Sequence, residues 1–421
     1  MSQRTPFPPV FWVANIIEVL ERFSYYGIYF GFGIYLTGLG YSRDELGIIQ
    51  SLFLLVSYTV PIVSGTMADR YGFKKVLIVS YLAYLPAILL MLVTESFGGI
   101  ATTMLLIAMA AGIFKPLISG TVRAVTDGTN KTVGFGIFYA MVNVGGTVGP
   151  IVAGKLRATS WHNAFIAAAA GIVVMLIITI LFYREPPREK NVKTLKQTLG
   201  EIGTVLSDLK FSAFLVLLGF GFWLPFWAFF NLCALYVDSS VDTAQLYNVI
   251  RGVVGSGIAD FLRHTDDNGT RRILGETISH SGWIIIFLQL SVSRVAERFR
   301  AMPVFYTGQL IAGLGFIVLG LASSGSPGIV FLGIFLFALG EMIASPRIQE
   351  YITWLAPKEK AGLYMRASFL STAIGGLTSG LYTSLYGRFD VAGNPGAVMY
   401  VLAAHMVLAI VALWIFGKTA G

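Results

Sequence analysis

Two acidic residues and one basic residue lie within five positions of one another near the start of the chain. They are Glu18, Glu21 and Arg22. At about 100° per residue, they share one face of a helix with three tyrosines, Tyr25, Tyr26 and Tyr29. Burial opposes ionisation of a carboxylate and a neighbouring arginine favours it, so the two acids could share and exchange a proton. The alternative is a structural ion-pair knot that holds this helix to its neighbours.

The composition of the chain places this helix in a membrane. Of 421 residues, 55% are hydrophobic and 12% are charged, and the mean hydropathy is +0.73. A soluble domain carries about 25% charged residues, so much of this surface must face lipid. The apolar residues form long runs without alternation, which predicts spanning helices and excludes open sheets. A charge at the bilayer centre costs at least about 2.5–3.5 kcal/mol, so ions inside a span indicate function.

Hydropathy predicts an all-α membrane protein with twelve transmembrane helices in two six-helix bundles. The predicted spans are 9–37, 45–67, 74–94, 98–122, 132–155, 161–183, 211–237, 280–297, 303–323, 327–354, 361–387 and 396–417. The N-terminal bundle takes up 1–184, a cytoplasmic linker 185–210, and the C-terminal bundle 211–421. An amphipathic run in the linker, 195–209, could lie on the membrane surface, although we expect an ordinary linker.

Lysine and arginine gather in alternate loops, which predicts that both termini are cytoplasmic. The basic loops are 70–75, 123–131, 184–210, 294–300 and 358–360. The exception is 239–279, a polar extracytoplasmic loop with four arginines, in which 246–262 is a candidate helix. It could be a lid or a partner-binding element. We expect an integral protein of a bacterial inner membrane.

Several classes of function are excluded by what the chain lacks. Its basic residues are dispersed between apolar spans, which does not suit nucleic acid. The four histidines show no metal-ligand spacing, and no phosphate-binding glycine loop precedes a strand, so we expect no metal, no cofactor and no enzyme. The single cysteine, Cys233, excludes an internal disulfide.

Two six-span halves with a hydrophilic linker are typical of major facilitator transporters, whose substrate cavity lies at the midplane between the halves. The segment Gly65-Thr-Met-Ala-Asp-Arg-Tyr-Gly-Phe-Lys-Lys75 resembles the loop motif of that superfamily. An acid and bases there would hold neighbouring helix ends together. We therefore assign Asp69, Arg70 and Lys74 a structural or gating role.

The segment Glu18-Val-Leu-Glu-Arg-Phe-Ser-Tyr-Tyr-Gly27 resembles the E-x-x-E-R-F-x-Y-Y-G signature of the proton-dependent oligopeptide transporter family. Further resemblances follow in spans four, five, ten and eleven. They are Gly112–Pro116 with Ser119, Phe138–Gly145, Gly340–Pro346 with Leu355–Pro357, and Gly362–Leu363 with Phe369–Gly375. The resemblance covers both halves, so the chain is identified as a compact, divergent member of the family.

The resemblance implies a role for each matching residue. Glu18, Glu21, Arg22 and Glu341 would couple protons to transport. The substrate site would comprise Tyr25, Tyr26, Tyr58, Lys115, Asn143 and Glu341. Lys115 would hold the peptide carboxylate and Glu341 its amino terminus. Fixed charges at both ends suit a zwitterion whose side chains vary.

The chain departs from the family pattern at two places. An arginine of the first span and a glutamate of the seventh, which form a gating ion pair in the family, are replaced by Tyr29 and by Phe230-Asn231. Since one charge alone would be costly, their joint loss is coherent, and the gate with Asn231 could close by packing. In span eleven, Ser368 replaces a tryptophan, and Arg366 is a new candidate for the pocket.

These residues predict a monomeric carrier that imports di- or tripeptides with protons by alternating access. Two alternatives stay open. One is a carrier of another small solute, such as an amino-acid derivative, an anion or an exported drug. The other is a sensor that binds peptides without transport.

Overall fold

The computed structural model describes residues 5–186, 194–357 and 360–420 and is almost entirely helical. Within these residues the helices are α1 Pro9–Gly38, α2 Arg43–Tyr71, α3 Phe73–Leu90, α4 Phe97–Ala124, α5 Lys131–Arg157, α6 Trp161–Phe182, α7 Leu195–Leu206, α8 Leu209–Leu218, α9 Leu224–Ser240, α10 Thr243–Val254, α11 Ser256–Leu262, α12 Gly275–Ile278, α13 Gly282–Ala296, α14 Ala301–Leu321, α15 Val330–Leu355, α16 Ala361–Ala367, α17 Phe369–Val391 and α18 Ala397–Ala420. A π-helical turn, Gly219–Trp223, joins α8 to α9. Two strands, β1 Arg263–Thr265 and β2 Arg271–Ile273, form an antiparallel hairpin with His264 opposite Arg272.

Every predicted span is helical in the described chain, and the predicted fold class is confirmed. Among the described residues, nine spans are long and apolar enough to cross a membrane on length and composition alone. The other three positions are occupied by α1, α13 and α17. The charged stripe makes α1 more polar, α13 has only 15 residues, and α17 is rich in glycine, serine and threonine.

The chain divides into two compact units. The first unit comprises the chain up to Tyr29 together with Phe53–Gly203, and the second comprises Phe30–Leu52 together with Thr204–Gly421. The last turns of α1 and the first turns of α2 therefore pack with the C-terminal helices rather than with the rest of the N-terminal half.

In the first unit, small residues bring α5 against the backbone of α1. A Cβ atom added to Gly145 would overlap the carbonyl of Val19, and one added to Gly149 would overlap the carbonyl of Phe23. Only glycine allows this approach. The contact fixes the turn of α1 that carries Arg22.

In the second unit, His405 connects the π-helical turn to α17 and α18. Its Phe220 carbonyl lies 2.7 Å from Nε2 of His405 on α18. Because a carbonyl only accepts, Nε2 carries the hydrogen, and Nδ1 of the neutral ring accepts from the Tyr382 hydroxyl of α17 at 2.7 Å. The π-helical turn is thereby tied to both α17 and α18.

The two predicted polar segments are partly helical. Residues 246–262 form helices, as predicted, but Gly255 with φ 90° interrupts them between α10 and α11. The hairpin that follows was not predicted. In the linker, α7 buries Ile202 and Val205 and leaves Leu195 and Leu199 about half exposed. Linker residues 187–193 and the basic Lys358 lie outside the described residues.

Candidate functional site

The charged residues of α1 form a buried ion cluster in the first unit. Nε of Arg22 donates to Oε1 of Glu18 at 2.7 Å, and Nη1 of Arg22 lies 3.3 Å from Oε2 of Glu21. Both glutamates are fully buried and Arg22 is 7% exposed. The hydroxyl of Tyr84 on α3 donates to Oε1 of Glu21 at 3.1 Å. Two carboxylates thus share one guanidinium.

Each carboxylate of this cluster keeps an oxygen with unused hydrogen-bonding capacity. Among the described residues, Oε2 of Glu18 and Oε2 of Glu21 accept no hydrogen bond. Oε2 of Glu21 still lies 3.3 Å from Nη1 of Arg22, whereas Oε2 of Glu18 has no donor among the described residues. The cluster thus holds two carboxylates but one guanidinium.

Lys115 of α4 lies among tyrosines of the same unit. Its Nζ is 3.8 Å from the ring centre of Tyr58 and 5.2 Å from that of Tyr25, within the range of cation–π attraction. It also donates to the Ser57 carbonyl at 3.3 Å. Among the described residues, no carboxylate lies within 4 Å of this ammonium group. The group is held by neutral partners and is chemically suited to a ligand carboxylate.

Pro116 leaves one backbone carbonyl of α4 without its usual helical donor, next to Lys115. Proline has no N–H and cannot donate to the Gly112 carbonyl one turn earlier. The Ser64 hydroxyl of α2 donates to that carbonyl instead, at 3.1 Å. The gap in the ladder of α4 is closed by α2, and this joins the two helices that carry Tyr58 and Lys115.

The tyrosines of α1 and the predicted site residue Asn143 of α5 also lie in the first unit. Tyr25 packs edge-on against Tyr26 at 5.0 Å and stacks on Tyr29 at 5.8 Å, and both Tyr25 and Tyr29 pack against Phe53. The Asn143 amide donates to the Tyr139 carbonyl of its own helix at 2.9 Å. The first unit thus places Tyr25, Tyr26, Tyr58 and Lys115 around the ion cluster.

Glu341 lies in the second unit, beside the start of span eight. The Ser281 hydroxyl donates to its Oε2 at 2.9 Å. Ser281 precedes α13, and α12 ends only a few residues earlier, so the N-terminus of α13 begins next to this carboxylate. A helix N-terminus favours a negative charge. The predicted start of this span, residue 280, lies close to the start of α13 at Gly282, but the contact with Glu341 was not predicted.

Two further arginines of the second unit, Arg347 and Arg366, lie on α15 and α16. Arg347 forms the predicted i,i+3 ion pair with Glu350 on α15, which confirms the structural explanation for that pair. Arg366 lies half-buried in the short helix α16, which Ser368 separates from α17. The second unit therefore holds Glu341 and Arg366 on different helices.

An aromatic cluster in the second unit was missed by sequence reasoning. It consists of Phe222, Trp223, Phe226, Trp227, Phe229, Phe230 and Phe337. Phe229 stacks on Phe337 of α15 at 3.7 Å, and Phe226 packs edge-on against Phe230 at 5.0 Å. Six of these residues lie in predicted span seven, and their spacing was the available signal, but aromatics in a span are equally typical of lipid-facing anchors.

Asn231 takes part in a neutral contact that we call the α2–α17 seam, made by Gly47, Gln50 and Ser51 of α2 with Ser379, Gly380, Thr383 and Ser384 of α17. The Asn231 amide donates to the Ser379 hydroxyl at 2.9 Å, and its backbone carbonyl accepts from Gln50 at 3.1 Å. The Thr383 hydroxyl donates to Gln50 at 2.6 Å. The predicted absence of the family ion pair is thus accompanied by hydrogen bonds as well as packing.

At the end of this seam lies an ion pair that the sequence did not reveal. Nη1 of Arg43 is 2.5 Å from Oδ2 of Asp390, and the guanidinium lies 4.4 Å above the ring of Tyr386. A Cβ atom on Gly387 would lie 3.0 Å from that of Arg43, so the glycine makes room for this arginine. The two partners are 347 positions apart, so no spacing signal exists.

The superfamily loop motif is held by an acid from outside it. Backbone N–H groups of Phe73 and Lys74, at the start of α3, donate to the two carboxylate oxygens of Glu185 at 2.7 and 2.9 Å. Lys74 Nζ also donates to the Ile180 carbonyl at 2.9 Å. The carboxylate caps the helix N-terminus, and Gly72 with φ 98° makes the turn.

The comparisons with known proteins agree with this architecture. Residues 14–264 match the family model of the Major Facilitator Superfamily. The chain belongs to the major facilitator superfamily. This facilitator is 24% identical over 448 residues to the uncharacterized transporter YclF of Bacillus subtilis (strain 168), a match that covers 93% of this chain and 91% of that protein. It is also 24% identical over 245 residues to the quinolone resistance protein NorA of Staphylococcus aureus (strain MSSA476), covering 56% and 62% of the two chains.

Solved structures extend the comparison to the whole facilitator fold. The crystal structure of a POT family transporter in complex with 5-aminolevulinic acid matches with a TM-score of 0.75 at 20% identity, and covers 97% of this chain and 96% of that chain. At this identity, the likeness establishes the fold. This facilitator is a membrane transporter.

Proposed function

We propose that this facilitator is a compact, divergent member of the proton-dependent oligopeptide transporter family that imports di- and tripeptides with protons. The buried ion cluster on the family signature carries the proposal. A structural knot would be served by one acid and one base, whereas this cluster holds a second carboxylate, and Oε2 of Glu18 has no donor among the described residues.

The charges of the first unit suggest how protons and peptide are coupled. Glu18 and Glu21 are balanced by Arg22 and Lys115, so the buried charges sum to zero. A peptide carboxylate on Lys115 adds a negative charge, which is costly in a low-dielectric interior. Proton uptake by Glu18 or Glu21 offsets it. Binding of the peptide therefore promotes binding of a proton, and the reverse holds by linkage.

The remaining binding residues are assigned by chemistry. Glu341 holds the peptide ammonium group and is a further proton carrier. Tyr25, Tyr26 and Tyr58 offer aromatic surface to variable side chains, and Asn143 exchanges its bond to Tyr139 for one to the peptide backbone. Arg366 is assigned to the second-unit side of the pocket, where it binds acidic groups.

Transport proceeds by alternating access of two bodies, 1–184 and 211–421, joined by the linker 185–210. The protein acts as a monomer in a bacterial inner membrane with both termini cytoplasmic and 239–279 outside. Asn231 and the seam form one gate, and Asp69, Arg70 and Lys74 belong to the opposite one. These assignments are supported by the basic residues in alternate loops and by the division of the sequence into two six-span halves.

Uptake into proteoliposomes tests the proposal. Labelled dialanine should accumulate under an imposed inward proton gradient, and accumulation should collapse when the gradient is dissipated. Glu341→Gln should abolish it, whereas Glu297→Gln, an exposed acid of the same unit, should not. Glu21→Gln should lose accumulation but retain exchange of peptide down its own gradient, since the binding groups remain.

The outcomes separate the alternatives. Binding of dialanine without any flux would identify a sensor. Folded protein that neither binds nor moves dialanine would overturn the peptide assignment and leave the transporter in place.

A drug exporter is the second candidate, favoured by the similarity to the quinolone resistance protein NorA and by the aromatic cluster. Proton-driven efflux of a fluoroquinolone, with no dialanine uptake, would establish it instead.

A further inference from the structure

A cavity of about 600 Å³ lies beside the Arg43–Asp390 ion pair in the second unit. It is formed by the turn between α1 and α2 and by the last turns of α17. Its lining includes Tyr41, Asp44, Ser384 and Arg388. The volume is within the usual range for small-molecule sites, about 300–1,000 Å³. It is therefore large enough for a short peptide or an amino acid.

The cavity carries both signs of charge. Within the described chain, neither Arg388 nor Asp44 belongs to an ion pair, whereas Arg43 and Asp390 pair with each other. The side chains of that pair are 20% and 31% exposed, so solutes can reach them. The lining thus offers one unpaired cation, one unpaired anion and an accessible ion pair. A ligand that is only positive or only negative would meet a lining residue with a charge of its own sign.

We propose that this cavity is a peripheral recognition site for a zwitterion with a free ammonium group and a free carboxylate. The ammonium group lies near Asp44 and the carboxylate near Arg388. The inference rests on the proposed function only in its choice of dialanine as the probe, because the charges of the cavity belong to this chain whatever the transporter carries.

Occupation of the cavity also acts on the α2–α17 seam. A carboxylate bound at Arg388 lies on the exposed side of Arg43 and competes with Asp390 for its positive charge. The ion pair at the end of the seam is weakened, and the neutral contacts below it are left to hold α2 against α17. Binding of the zwitterion therefore favours separation of these helices.

Binding can be measured with the central site disabled. Full-length protein carrying Lys115→Gln and Glu341→Gln should still bind dialanine weakly. Adding Arg388→Gln should weaken this binding about tenfold, the loss of one charge-assisted contact. Adding Arg251→Gln, an exposed arginine on α10 outside the cavity, should leave it unchanged. Equal binding by the two arginine variants, or no binding in the starting protein, would overturn the proposal.

Opening of the seam has its own reporter. In a Cys233→Ser background, Ser51→Cys places a thiol in the seam, where Ser51 meets Gly380, and outside the cavity lining. Dialanine should accelerate maleimide labelling of this thiol, and Arg388→Gln should remove the acceleration. The uncharged N-acetyl-dialanine methyl ester should have no effect, and an equal effect of the ester would contradict recognition of a zwitterion.

These measurements separate the cavity from the proposed transport. If wild type accumulates dialanine but Arg388→Gln binds like Arg251→Gln, the cavity proposal fails alone. If charge-dependent binding is found without accumulation, the cavity stands and peptide symport fails.

Discussion

The ion cluster of the first unit and the α2–α17 seam of the second are built from different kinds of contact. The cluster buries three formal charges on one helix, and α3 and α5 hold that helix in place. The seam joins two helices through glycines, hydroxyl groups and amides, with its one ion pair at the accessible end. The first unit buries its charges within one helix, and the second joins two helices mainly through neutral groups.

The free energies of these two kinds of contact also differ. Removing one partner of a buried ion pair costs about 3–5 kcal/mol, because the other charge is left uncompensated. A neutral hydrogen bond contributes only about 0.5–1.5 kcal/mol, and an exposed ion pair about 0.2–1 kcal/mol. A seam of such contacts can open at modest cost, whereas a cluster of buried ions cannot. The missing family ion pair at Tyr29 and Asn231 agrees with a gate of this neutral kind.

The largest effect is expected from Arg22→Gln. It leaves Glu18 and Glu21 buried without a cation, and the free energy of unfolding should fall by about 3–5 kcal/mol. Cys233 is fully buried, so the reaction of this single cysteine with a fluorescent maleimide reports unfolding. Melting curves of the purified variant and the wild type give the difference.

A neutral version of the cluster is the control for that experiment. The triple variant Glu18→Gln, Glu21→Gln and Arg22→Gln removes all three charges and should recover most of the lost stability, although not transport. If Arg22→Gln alone were as stable as the triple variant, the cluster would not behave as a set of coupled buried charges.

A smaller effect is expected from Gly380→Ala in the seam. The added Cβ atom would overlap the carbonyl of Gly47, so α2 and α17 must move apart, at about 1–3 kcal/mol. Labelling of Ser51→Cys should become faster without any ligand. Gly65→Ala, also on α2 but facing open space, should leave labelling unchanged. Equal labelling in both variants would break the comparison, since the seam would then not depend on close helix approach.

The sequence predicted the helices well and the contacts between them poorly. Apolar length predicted the spans, nine of which meet the length and composition of a membrane helix among the described residues, and the spacing of Glu18, Glu21 and Arg22 predicted their shared face. The ion pair of Arg43 with Asp390 could not be found, because its partners lie 347 positions apart and each sits near a loop. The contact of Ser281 with Glu341 was also hidden, since its partners lie 60 positions apart. Local periodicity is visible in one sequence, whereas long-range pairing is not.

A double-mutant cycle on Gln50 and Thr383 measures one bond of the seam. Gln50→Leu and Thr383→Val each leave a buried polar group unpaired, whereas the double variant removes both partners. We expect each single variant to destabilise by about 1 kcal/mol and the double variant to cost less than their sum. The same cycle on Glu18 and Arg22 should give a larger coupling energy. Coupling energies of equal size would remove the distinction between seam and cluster.

The smallest effect belongs to the hairpin β1–β2, an exposed region outside both the cluster and the seam. Hydrogen bonds from the Arg272 side chain and from the backbone N–H groups of Thr270 and Asn268 lower the pKa of Asp266. Because this pKa is lowered in the folded protein, the carboxylate stabilises the hairpin fully when the pH is above the ordinary aspartate pKa of about 3.9. The stabilisation is lost as the pH falls through the lower pKa that Asp266 has in the folded protein. Hydrogen-exchange protection of the Thr270 amide should therefore decline in acid, while the melting temperature of the spans changes far less. Asp266→Asn should show low protection at every pH, and Asp267→Asn should keep the wild-type profile. Protection that stays constant into acid in the wild type would show that the turn, rather than the charge of Asp266, holds the hairpin.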